Sequence, residues 1–224
     1  MKTAIQAAGA SLVGLVLFGL LLFLPAGTFD YWQAWVFIAA FAVLTTMLTV
    51  YLLLRNPAVL AGRMHAGPAA ETRTAQKFAG SALFLVIAAV MVLSALDYRF
   101  GWSAVPTAVT LVGDALVTIG LVIGSLVVLQ NGYAAANIKV EPDQPVISTG
   151  LYGLVRHPMY FGSLIFMVGI PLALGSYWGL IGIIPVVIVF AFRIRDEEKM
   201  LEEELNGYID YTREVHYRLV PLVW

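Results

Sequence analysis

The chain has 224 residues, of which 60% are hydrophobic and 12% charged, with a formal net charge of -1. A soluble domain carries about a quarter charged residues, so water is excluded as the solvent for most of this surface. The near-neutral balance argues against nucleic-acid binding, and the absence of cysteine excludes disulfides, thiolate nucleophiles and Cys-based metal sites. His65, His157 and His216 lie far apart, so no metal cluster is expected.

Residues 5–24 are apolar and uncharged, and a hydrocarbon core needs about 20 helical residues. The stretch is long for a signal-peptide core and lacks a small-x-small cleavage site, so a retained span is expected. Pro25-Ala26-Gly27 breaks it, and Tyr31, Trp32 and Trp35 stand where an interfacial aromatic belt would. A second span covers about 35–54 and is closed by Arg55-Asn56-Pro57, with Pro57 as the helix stop. The polar loop 55–77 holds Arg55, Arg63, Arg73 and Lys77 against Glu71 alone; the positive-inside rule places it in the cytoplasm.

A third span is expected over 78–96, a connector over 97–102 on the opposite side, and a fourth span over 105–129. Gly113, Gly120 and Gly124 form a small-residue stripe on the fourth, suited to packing within the bundle or to a dimer contact. Asp114 is an acid inside that span, read either as functional or as a solvated cap. Residues 130–156 return the chain to the cytoplasmic side. Two short apolar halves, 159–174 and 178–192, flank Gly175-Ser176-Tyr177 and read as a helical hairpin that starts and ends on one side. A charged segment, 193–214, follows as a separate cytoplasmic helix; nearly half of all charged side chains lie from Arg193 onward. Leu201, Leu205, Ile209 and Val215 would form its bilayer-facing stripe. Tyr208 and Tyr211 read as interfacial packing and His216 as a surface residue. The expected fold is therefore all-α: a polytopic membrane helical bundle of about five spans, the last a hairpin, plus a C-terminal amphipathic helix. It divides into an N-terminal membrane region, 1–129, and a catalytic region, 130–224. Both termini are expected in the cytoplasm.

Two constellations carry chemistry. Arg156-His157-Pro158-Met159-Tyr160 places a cation, an imidazole and a phenol at a membrane surface, with Pro158 suited to a first helical turn; an interfacial anchor would look the same. In Arg193-Ile194-Arg195-Asp196-Glu197-Glu198, Arg193 and Glu197 share a helix face while Glu198 points about 100° away. A solvated acidic face explains most of the following carboxylates, but less well why Arg193 directly follows an uncharged stretch. Topology brings both constellations to one membrane surface.

Together these pieces resemble the isoprenylcysteine carboxyl methyltransferases and phospholipid N-methyltransferases, over about 130–221. The likeness rests on Val146-Ile147-Ser148-Thr149-Gly150-Leu151-Tyr152, Arg156 to Tyr160 with Gly162, Arg193 with Glu197-Glu198 and Leu201, and Gly207-Tyr208, Tyr211, Val215, Arg218 and Pro221. Arg55-Asn56-Pro57 with Arg63-Met64 looks like a bacterial branch, which implies a bacterial inner membrane as the setting. The resemblance implies S-adenosylmethionine as cofactor, held by Asn137, Gln144, Val146, Ile147, Tyr152, His157, Pro158, Tyr160 and Glu197, and a catalytic group of Arg193, Glu197 and Glu198. Arg193 matches the position that engages the acceptor's anionic group. A lipophilic acceptor from the bilayer is implied, either an isoprenylcysteine-like carboxylate or a lipid head group. For an amine acceptor, Glu198 or Glu197 is the nearby base. Gly169, Gly175, Gly179 and Gly182 suit helix packing, or room for a lipid tail. Two rival readings are an NADPH-dependent reductase like the membrane sterol reductases and a non-catalytic scaffold or transporter. The oligomeric state is not indicated.

Overall fold

The computed structural model describes residues 2–64, 73–134, 140 and 144–224. Among them every regular element is helical. Helix α1 (Lys2–Ala26) carries Pro25 in its last turn and ends where Gly27 adopts φ +71°, a conformation glycine enters without steric cost. Helix α2 (Trp32–Arg55) stops at Asn56, whose Oδ1 accepts a 3.4 Å bond from Val59 N in the next helix. Pro57 is therefore no simple stop. It opens a short helix, α3 (Pro57–Met64), inside the segment expected to be loop, because a first-turn residue has no helical use for an N–H.

Helix α4 (Thr74–Phe100) ends at left-handed Gly101, and α5 (Thr107–Gln130) returns across the bundle. A single 3-10 turn, Gly150–Gly153, precedes α6 (Pro158–Ala173). After a second 3-10 turn, Trp178–Gly182, α7 (Ile183–Glu204) continues without a break through Arg193 into the charged run. The separate cytoplasmic helix expected over 193–214 is thus two pieces, the end of α7 and a short α8 (Tyr208–Glu214). An apolar-to-charged transition changes a helix's solvent, not its hydrogen bonding, so it need not be a boundary. Five helices are long and apolar enough to cross a membrane, with Pro158–Ala173 a shorter apolar one. The expected membrane bundle is observed.

The hairpin's tip fixes its depth. Ser176 Oγ at the tip donates a 2.5 Å bond to Asp97 Oδ2 at the end of α4, and Tyr31 Oη donates to Leu174 O at 2.6 Å. Both arms thus run the full depth of the bundle and meet the 97–102 connector at its far end. Tyr31, expected in an aromatic belt, is fully buried there and stacked on Tyr98, with ring centroids 4.0 Å apart; Trp32 and Trp35 are exposed as a belt requires.

One core, including Leu22, Phe37, Met91, Val117, Ile170 and Phe190, joins α1, α2, α4, α5, α6 and α7. The tightest seam is α5 on α6. A Cβ at Gly113 would sit 2.1 Å from Ala173 N, one at Gly120 2.6 Å from Gly162 O, and one at Gly169 2.7 Å from Val117 N. The small-residue stripe is spent on this internal seam. Gly179 and Gly182 are filled likewise by Pro171, Ser94 and Val90, so these glycines leave no room for a lipid tail. Both carboxylate oxygens of Asp114 are shielded and lack a hydrogen-bond partner among the described residues, so Asp114 is not a solvated cap.

Candidate active site

At the end of the bundle opposite the Asp97 cluster lies a cavity of about 330 Å³. Its floor is set by the end of α5. Gln130 Oε1 accepts a 3.1 Å bond from Leu151 N, and its Nε2 donates to Thr149 O. The 3-10 turn is thereby docked with Gly150 at φ +58°, where a Cβ would fall 2.4 Å from the Gln130 side chain. The Tyr152 phenol accepts 3.0 Å from Asn131 Nδ2, and the Tyr152 carbonyl accepts 2.7 Å from Tyr211 Oη. Burial, opposed by the Asn131 hydrogen bond and reinforced by the charge on Glu197, pushes the Tyr152 phenol up to about 12. Burial also raises Tyr208 and Tyr211, so these phenols stay protonated and act as polar faces rather than bases.

Pro158 starts α6 with His157 as its N-terminal flank. The strand-like segment before it is stitched to the C-terminal tail: Arg156 N donates to Tyr217 O and His157 N to Arg218 O, both at 2.9 Å. Glu198 completes the stitch. Its Oε1 accepts from Arg156 Nε at 2.8 Å and lies 3.3 Å from His157 Nε2, while its Oε2 accepts from Arg218 Nε at 2.6 Å. Arg156, His157 and Glu198 are nearly excluded from solvent. A carboxylate buried among such partners is held ionised by charge-assisted bonds.

Helix α7 presents a different face to the cavity, where Phe190, Arg193, Glu197, Met200 and Leu201 recur at helical spacing. Arg193 Nε donates to Tyr160 Oη at 3.3 Å, and Tyr160 Oη donates to Glu197 Oε2 at 2.9 Å. Tyr160 is braced edge-on by Phe190 and His157, at centroid distances of 5.1 and 5.7 Å. Cation, phenol and carboxylate thus form a line along one wall. Asp196, on another face, accepts 2.8 Å from Arg73 Nη2 and a bond from Gln76 Nε2, pinning α7 to the start of α4.

Of the nine positions the resemblance assigns to the cofactor, Gln144, Val146, Ile147, Tyr152, His157, Pro158, Tyr160 and Glu197 line this cavity; Asn137 lies outside the described residues. Arg193 lines it too, whereas Glu198 does not. With both its oxygens engaged, Glu198 is no free base. Tyr208 and Tyr211, read from sequence as interfacial, are buried cavity walls, and Leu205 and Val215 pack with them instead of on the bilayer; Ile209 is exposed. Sequence reasoning also passed over Asn131, Phe190 and Met200. Helical spacing from Arg193 and Glu197 would have found the last two.

The lining suits S-adenosylmethionine. Aromatic faces and a carboxylate attract a sulfonium, the Val146, Ile147, Leu201 and Leu205 side offers an apolar slot, and cations are present for a carboxylate. The Tyr208 hydroxyl lines the cavity, is buried and has no hydrogen-bond partner among the described residues. Such a group costs about 1–3 kcal/mol unless a ligand or water satisfies it.

The phospholipid methyltransferase family matches residues 108–206. The chain is 32% identical over 121 residues to the protein-S-isoprenylcysteine O-methyltransferase of Saccharomyces cerevisiae, covering 52% of this chain and 51% of the yeast protein. It is 31% identical over 94 residues to a Delta(14)-sterol reductase of Mus musculus, covering 39% of this chain and 22% of the reductase. The chain therefore spans about half the length of the yeast relative and about a fifth of the mouse one. The matched stretch runs from α5 to the end of α7, through the floor and the charged wall of the cavity. Over this stretch the chain is similar to the phospholipid methyltransferase family and to the yeast isoprenylcysteine methyltransferase.

Proposed function

We propose that this integral membrane protein transfers a methyl group from S-adenosylmethionine to a lipophilic acceptor delivered from the bilayer. The observation that carries the reading is the convergence of the Tyr152, His157, Tyr160 and Glu197 group with Arg193 on one cavity. The family supports methyl transfer, and the residues support this donor.

When bound, the donor would supply a methyl group carried on a positively charged sulfur and so activated for transfer to an acceptor lone pair, with the neutral thioether as the leaving group. What remains for the chain is alignment and desolvation. Glu197, with Tyr152 and Tyr160 beside it, holds positive charge near the transfer point. Arg193, one turn earlier on α7, orients an anionic acceptor group. Tyr160 Oη, between them, fixes their separation. Glu198 acts at one remove by setting Arg156 and His157. A carboxylate acceptor has no proton to lose; an amine would release one, and Glu197 is then the carboxylate in reach.

Gly80, Leu83 and Phe84 of α4 also line the cavity, and Phe84 is exposed on the bundle's flank, which supports an acceptor arriving through the lipid side. The positive-inside count supports a cytoplasmic site, and an even number of crossings then leaves both termini on that side.

Equilibrium binding of S-adenosylmethionine to the full chain in detergent tests the reading. Saturable binding weakened by Glu197→Gln and His157→Ala is expected; absent binding, or binding indifferent to both, would overturn it. The similarity to the mouse reductase favours one rival, a reductase using NADPH. Heat protection by NADPH, and none by S-adenosylmethionine, would favour that rival.

A further inference from the structure

The cavity's cations are not equally provided for. Arg156 has Glu198, and Arg193 donates to Tyr160, which in turn bonds Glu197. Arg63, from α3, lines the same cavity, and its Nη1 donates to the backbone carbonyl of Ala134 at 3.1 Å. Among the described residues no carboxylate comes within 4 Å of it. A guanidinium carries five N–H donors and keeps its charge; Arg63 is half-buried, and partial removal of a charge from water is costly unless it is paired. Burial alone pulls Arg63 below the usual guanidinium range, with no offsetting acid.

The side chain is also held in place. Leu60 on α3 packs with Leu52 and Val128, and Val59, Met64 and Met159 close around them, so α3 is fixed to the ends of α2, α5 and α6. A Cβ at Gly132 would lie 3.0 Å from Val59, which brings the Ala134 loop close against α3. Arg63 is thus presented to the cavity by a rigid helix.

The geometry points to Arg63 as an anion-binding residue of the ligand site, taking a carboxylate or phosphate oxygen of a bound molecule. This rests on the proposed methyltransferase reading for its two sources of that anion: the amino-acid carboxylate of the donor, or the head group of the acceptor.

The test uses the full chain in nanodiscs, as wild type, Arg63→Gln and Arg63→Lys. One arm measures binding of S-adenosylhomocysteine and of 5′-methylthioadenosine, which keeps the nucleoside and thioether but lacks the carboxylate. The other measures thermal stabilisation by octanoate and octyl phosphate against octanol, with S-adenosylhomocysteine saturating. Loss of about ten- to a hundredfold in affinity for S-adenosylhomocysteine alone in Arg63→Gln, partly rescued by Arg63→Lys, assigns the donor carboxylate. Unchanged nucleoside binding with loss of stabilisation by the anionic amphiphiles assigns the acceptor head group. Retention of both in Arg63→Gln overturns the proposal. So does an equal loss of both nucleosides with a lowered Tm, which would make Arg63 a structural latch on Ala134. Wild type binding neither nucleoside would defeat the donor reading, and the amphiphile arm, run without S-adenosylhomocysteine, would then decide Arg63.

Discussion

The Asp97 cluster at one end of the bundle and the cavity wall at the other carry polar groups of similar kind and differ in how far these are satisfied by the chain. At the far end Asp97 accepts from Ser103 N at 2.7 Å, Ser103 Oγ at 2.6 Å and Ser176 Oγ at 2.5 Å, and Ser176 Oγ accepts in turn from Gly179 N at 3.0 Å. That cluster is internally satisfied and joins the α4–α5 and α6–α7 connections. At the near end a cavity opens among Arg63, Arg193, Glu197 and Tyr208; the buried Tyr208 hydroxyl has no hydrogen-bond partner among the described residues, and Arg63 donates to the Ala134 carbonyl with no carboxylate within 4 Å among them. A satisfied knot holds a fold; a polar group left over on a cavity wall is available to a ligand or to water. The Glu198 cluster lies between these cases, a satisfied knot placed directly behind the open wall.

Substitutions that break the knots and those that touch the wall should separate stability from binding. Glu198→Ala has the largest expected effect, because it strands Arg156 and His157 in a nearly dry site and releases the partly exposed Arg218. About 3–5 kcal/mol of stability should go with it, seen as a lowered Tm together with lost cofactor binding. Asp97→Ala should cost about 2–4 kcal/mol through its orphaned donors, also read by Tm, while the remaining folded protein binds S-adenosylmethionine as before. Glu197→Gln should leave Tm nearly unchanged and weaken cofactor binding by about 1.5–3 kcal/mol, the worth of a charge-assisted contact, read by titration. Tyr208→Phe should be smallest. It removes a hydroxyl that costs the unliganded fold, so Tm should hold or rise slightly while affinity falls by about 0.5–1.5 kcal/mol.

Much of this contrast was legible in the sequence where the signal was local. The Val146 to Tyr160 motifs and the one-turn spacing of Arg193 and Glu197 place their residues with little help from the rest of the fold, and they line the cavity. The divergence of Glu198 from Glu197 followed from helical geometry alone, but its three basic partners did not, since Arg218 reaches it only through the returning tail. Tyr208 and Tyr211 were hidden because an aromatic near a membrane surface has the same composition whether it faces lipid or a cavity. Pro57 misled because proline both stops a helix and starts one. The continuity of α7 was hidden by its change of solvent at Arg193.

The central claim is that the near end is a donor site and the far end is not. Equilibrium titration of S-adenosylmethionine into the full chain in nanodiscs, comparing wild type with Glu197→Gln and Asp97→Ala at a temperature where all three are folded, tests it most directly. One saturable site, weakened about ten- to a hundredfold by Glu197→Gln and unchanged by Asp97→Ala, is the expected result. No saturable binding in folded wild type, or equal weakening by both substitutions, would contradict it.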